Sequence, residues 1–138
     1  MDRSIFWFAP CFLLPIVLVF MGCGGGSHQL QGVQITPAIA DARNSPNGQV
    51  NFTATGTFNR PPSPVTLTSA DVVWCVGSGT GTCAGNIVAG ATVDQNGVAQ
   101  CQAGFNGTVT ILAGQGKVTM PDTGEQLKIF ASARLTCP

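Results

Sequence analysis

Residues 126–136 carry Leu127, Ile129, Ala131, Ala133 and Leu135 at every second position, with polar or small residues at most of the places between. A period of two is the repeat of an extended strand with one buried face, whereas a helix would scatter these five residues around its axis. This longest alternation is one of several. Residues 30–36 put Val33 and Ile35 on one face before Pro37, and residues 49–58 put Val50, Phe52 and Ala54 inward after the turn at residues 44–48. Residues 71–76 align Val72, Trp74 and Val76, and residues 108–113 align Val109, Ile111 and Ala113. Residues 91–94 and 98–101 flank Gln95, Asn96 and Gly97, and an Asn-Gly pair between apolar runs is a strong hairpin signal. Residues 120–125 predict a turn that makes 108–113 and 126–136 an antiparallel pair. With 18 glycines and 9 prolines to punctuate them, these runs predict an all-β domain. Trp74, Phe52, Val109 and Ile111 are the expected centre of its core. Phe130 falls in the outward phase with Lys128 and Arg134, so it is either covered by a neighbouring loop or part of a small contact patch.

The chain opens differently. From Ile5 to Met21 it is almost continuously apolar, with Arg3 before the run and no charge inside it, the layout of a signal peptide. A permanent membrane span fits less well, because the run is slightly short, holds Pro10 and Pro15, and is followed by Gly24, Gly25 and Gly26 instead of cationic anchors. Its end, Phe20-Met21-Gly22-Cys23, resembles a bacterial lipobox, in which a small residue precedes the cysteine that is lipidated before cleavage. Gly22 and Cys23 match that pattern; Phe20 and Met21 stand where it usually has leucine and a small residue. The resemblance implies a signal peptide over residues 1–22, lipid on the Cys23 thiol, and a tether over residues 23–29 joining the membrane to one domain over residues 30–138. The expected location is the cell envelope outside the cytoplasm. Because Gly24 is not aspartate, the resemblance also implies the outer membrane where the organism has one.

Four cysteines remain: Cys75, Cys83, Cys101 and Cys137. An even number in an exported domain implies two disulfides. Zinc is not expected, since no Cys-x-x-Cys pair occurs and the one histidine, His28, falls in the tether. No pair has the short spacing of a redox-active dithiol either.

The order of several elements carries a further likeness. Gly32-Val33-Gln34-Ile35-Thr36-Pro37, then residues 50–58, Val72-Val73-Trp74, Ala91-Thr92-Val93-Asp94 with Asn96-Gly97-Val98, and Gly107-Thr108-Val109-Thr110-Ile111 together resemble bacterial Ig-like domains of the group 2 type, over about residues 30–113. The resemblance implies an Ig-like β-sandwich of about seven antiparallel strands, used as an adhesive, spacer or carbohydrate-contacting module, with no catalytic residues. The chain differs from the usual pattern in its cysteines and in standing alone, and it has no tyrosine. In such a sandwich Cys75, Cys101 and Cys137 fall near one end, and Cys83 reaches it by a loop. All three pairings are feasible, and Cys75–Cys83 with Cys101–Cys137 is favoured because both bridges link neighbours.

Charged residues are 9% of the chain and cancel, so no basic stripe exists for nucleic acid. No cofactor is expected. Apart from His28 the domain offers only five scattered acids, Asp41, Asp71, Asp94, Asp122 and Glu125. Asp71 and Asp94 could meet across the sandwich, but a strand start and a turn account for them first. Asp94 with Asn96 is likewise too few oxygens for calcium. Gly-rich residues 77–81 lack the Lys-Ser/Thr ending of a phosphate loop. A non-enzymatic, lipid-anchored envelope module contacting an envelope protein or a glycan is therefore the leading expectation. An inhibitor or ligand binder using the loops at 60–64 and 77–81 is the alternative, and a small hydrolase accessory domain comes last.

Overall fold

The computed structural model describes residues 26–84, 90–116, 118–120 and 124–138. Its strands are β1 (Leu30–Thr36), β2 (Ile39–Asp41), β3 (Gln49–Asn51), β4 (Thr53–Phe58), β5 (Val65–Thr66), β6 (Val73–Gly77), β7 (Thr82–Cys83), β8 (Ala91–Val93), β9 (Val98–Cys101), β10 (Gly107–Gln115), β11 (Val118–Met120), β12 (Gly124–Gln126) and β13 (Ile129–Cys137). Two short 3-10 turns, Ala42–Asn44 and Pro46–Gly48, are the helical pieces among the described residues. The protein is an all-β sandwich.

One layer is built on residues 49–58. The alternation runs through them without a slip, so Val50, Phe52 and Ala54 are all buried. Their hydrogen bonds nevertheless change partner at Phe52, which splits the expected single strand into two. β3 pairs with β9, which pairs with β8, whereas β4 lies between β1 and β5. Phe52 N–H donates to Gly97 O at 2.9 Å and Leu67 N–H donates to Ala54 O at 2.8 Å, so few donors are lost at the switch.

The other layer runs β11-β12-β7-β6-β10-β13-β2. β10 pairs antiparallel with β13, Ile111 opposite Ala133, and with β6, Ala113 opposite Trp74. β2 adds to β13 in parallel, with Ala40 opposite Leu135, after the chain crosses from the first layer at Pro37 and Ala38. The sandwich is thus not wholly antiparallel. Between the layers Ile35, Phe52, Ala99, Trp74, Ile111 and Leu135 belong to one buried core.

The alternation of 126–136 is broken where no polar signal marks it. Gln126 ends β12, Leu127 lies outside any strand, and β13 begins at Ile129. Leu127 N–H donates to Gly81 O at 2.9 Å, and its side chain enters a second buried cluster with Leu112, Cys75 and Cys83 on the outer side of the sheet. The expectation that Leu127 faces the main core is therefore corrected: the break before Ile129 reverses its phase. Ala133 and Leu135 do face the core, while Ile129 and Ala131 are half-buried at its edge. Phe130 packs on the second cluster, covered by the neighbouring loop.

Candidate functional site

The four domain cysteines form two bridges, Cys75–Cys83 at a sequence separation of 8 and Cys101–Cys137 at a separation of 36. The first ties β6 to β7 within one layer and is sealed by Leu112 and Leu127. The second joins β9 in one layer to the end of β13 in the other. Cys23 lies outside the described residues, as do Cys11 and the rest of the apolar run.

The tether expected over residues 23–29 is docked from Gly26 onward. Arg60 Nη1 donates to Gly26 O at 3.0 Å, and Asn59 Nδ2 donates to Ser27 O at 3.2 Å. Gln29 N–H donates to Asn59 Oδ1 at 2.9 Å, and Asn59 N–H returns a bond to Gln29 O at 3.1 Å. The His28 ring stacks on Phe58 with centroids 4.1 Å apart and planes 8° apart. Its Nε2 sits 3.0 Å from Arg60 O; a carbonyl only accepts, so this nitrogen carries the proton. His28 is thus held by its neighbours in the fold. Nothing in the sequence marked this contact, because most of its acceptors are backbone carbonyls, which leave no side-chain pattern.

The two loops expected to offer a contact surface are both ordered by local bonds. Phe58 N–H donates to Ser63 Oγ at 2.9 Å across the proline-rich segment. In the glycine-rich loop Gly81 N–H donates to Ser78 O at 3.1 Å and Ser78 N–H to Thr82 O at 2.9 Å. Asp94, Asp71 and Asp41 are similarly engaged, and Asp122 lies outside the described residues. Asp94 Oδ1 accepts from Asn96 N–H and Val98 N–H, each at 2.8 Å, which makes the β8–β9 hairpin turn. Asp71 Oδ2 accepts from Thr68 N–H at 2.8 Å and from the Thr68 hydroxyl at 2.7 Å, and the backbone bond first, then the hydroxyl, hold its carboxyl below the ordinary value. Asp41 forms an exposed ion pair with Arg43, whose side-chain hydrogen bonds lower the Asp41 pKa. Among the described residues no three His, Cys, Asp or Glu side chains converge as metal ligands. No described helix is long and apolar enough to cross a membrane.

Among the described residues, two open surfaces offer uncharged polar groups to a ligand. An open cleft of about 280 Å³ lies beside Trp74, lined by Thr66, Thr68, Ser69, Gln95 and Asn96 among others. Its hydroxyl and amide groups suit hydrogen bonding to a neutral molecule, and it brings no nucleophile together with a base. The outer face of β1, β4 and β5 presents Gln34, Thr36, Thr53, Thr55, Thr57 and Thr66, all uncharged. No model of a known protein family matches the chain, and no curated protein matches it either.

Proposed function

We propose that this protein is a lipid-anchored envelope protein whose β-sandwich is a non-enzymatic structural or binding module outside the cytoplasm. The observation that carries the reading is the division of the cysteines. Cys23 follows Gly22 at the end of an apolar run, as a lipidated cysteine does, and the four beyond it are all bridged. The likeness of residues 30–113 to group 2 Ig-like domains supports a module of the adhesive or spacer kind. The uncharged outer face of β1, β4 and β5 favours an envelope protein or a neutral glycan over a strongly charged partner. Intact mass of the mature protein, made from the full precursor in a bacterium that processes lipoproteins, tests this. The expected mass is that of residues 23–138 plus acyl chains, rising by four hydrogens when both bridges are reduced. An unmodified N-terminus or free thiols would sink the reading.

A second reading, a ligand-binding or inhibitory protein, is favoured by the cleft beside Trp74. It places the contact surface at residues 66–69 and 95–96 instead of in the two loops singled out from sequence. Changing Ser69 and Gln95 to alanine should then weaken capture of a ligand, whereas a spacer tolerates both changes.

A further inference from the structure

We propose that residues 26–29 act as a docked stalk that holds one end of the sandwich, the end bearing residues 58–64 and Lys128, against the lipid headgroup layer. This rests on the reading of Cys23 as the lipidated residue. The stalk extends the β1–β4 pairing: Leu30 is opposite Phe58, and the bonds of Asn59 and Arg60 to Gly26, Ser27 and Gln29 continue the contact away from the sheet. His28 on Phe58 closes it.

Length decides what the docking does. A seven-residue link from Cys23 to Leu30 would span about 25 Å at full extension, enough for the domain to turn freely. With Gly26 docked, the link from Cys23 is three residues, about 10 Å at most. The headgroup region of one leaflet is itself about 6 Å thick, so the docked end cannot move far from it. Beside the stalk, His28 and Gln31 share a surface hollow with Gln115 and Ile129, the end of β10 and the start of β13. Lys128 and Arg60 are both exposed at this end. The Cys101–Cys137 bridge and the exposed Ala103 lie at the other end of β13, whose nine residues place them about 25 Å farther away. The proline-rich loop is then on the membrane side, and the end bearing the Cys101–Cys137 bridge faces away from the bilayer.

The full precursor, made in a lipoprotein-processing bacterium with a fluorescent amino acid encoded at Lys128 or at Ala103, tests the orientation. The mature protein is placed in phosphatidylcholine vesicles carrying nitroxide on a fraction of their headgroups. Strong quenching at position 128 with little at 103 is expected. The Asn59→Ala/Arg60→Ala pair should abolish that difference while leaving Trp74 emission unchanged. Equal quenching at both positions in the parent, or a difference that survives the Asn59→Ala/Arg60→Ala change, would overturn the stalk. The mass of the same sample separates the two failures: no lipid on Cys23 removes the anchor itself, whereas a lipidated protein with equal quenching removes only the orientation.

Discussion

Gly81 lies directly against the ring of Phe130, so close that a Cβ on Gly81 would overlap Cδ1, Cε1 and Cζ. Gly81 also has φ +83°, a conformation that costs an L side chain about 1–2 kcal/mol. The contact is what covers the second cluster. Phe130 rests on Leu112, Leu127 and the Cys75–Cys83 bridge, and the turn through Gly81 lies over the ring. Gly81→Ala should therefore destabilise the protein by about 2–4 kcal/mol, combining the backbone cost with overpacking. In a Phe130→Ala background the overlap is gone and only the backbone cost should remain, a coupling of about 1 kcal/mol or more in urea unfolding. Additive effects would show that Phe130 does not press on the turn.

A tighter constraint sits at the β8–β9 turn. Gly97 has φ +81°, and a Cβ there would overlap Phe52 O and come within 2.9 Å of Trp74 Cζ2. Neither neighbour can yield easily, since one is backbone and the other is a buried indole. Gly97→Ala should cost about 2–4 kcal/mol and shift Trp74 fluorescence, because relief requires the ring to move. Asn96→Ala leaves Gly97 in place and should cost far less. If the two variants were equally stable, the turn would not be set by the packing of Trp74.

Much of this core was legible because burial imposes a phase. Phe52, Trp74, Val109 and Ile111 are buried where period two places them. Strand boundaries were not legible, because a change of hydrogen-bond partner leaves the phase intact at Phe52 and alters no residue type at Leu127. The second cluster had a trace in sequence: Leu112 occupies the outward phase of β10 and Phe130 that of β13, and of the two expectations for Phe130, a covering loop or a contact patch, the loop is the one found. Their partners, Cys75 and Cys83, become visible only once β6 and β10 are known to be adjacent. The docking of residues 26–29 left no trace, since it depends on which loop lies beside β1.

The two bridges should differ in worth because they close loops of different length. In the chain-entropy description, closing 36 residues restricts the unfolded chain by about 4 kcal/mol, and closing eight by about 2–3 kcal/mol. Cys101→Ser/Cys137→Ser also frees the last strand from the opposite layer. Its urea midpoint should fall further than that of Cys75→Ser/Cys83→Ser. The reverse order would mean that the packing of the short bridge against Leu112 and Leu127 outweighs loop entropy.

Asp71 gives the pH dependence a named source. Both Thr68 donors favour its ionised form in the folded protein, so its pKa there lies below the ordinary value near 4 that it has when unfolded. A lowered folded pKa means that the unfolded chain takes up the proton first as acid is added. The stabilisation is thus complete above about pH 5, and it is lost as the pH falls through 4 and on through the folded pKa. Asp71→Asn keeps an oxygen acceptor for Thr68 but does not titrate. Its stability at neutral pH should be lower than the parent's, and the gap should close towards pH 3. Urea midpoints of the two proteins between pH 7 and pH 3 measure this. A gap that stayed constant across the range would assign the loss at Asp71 to packing and leave the acid sensitivity to other carboxylates.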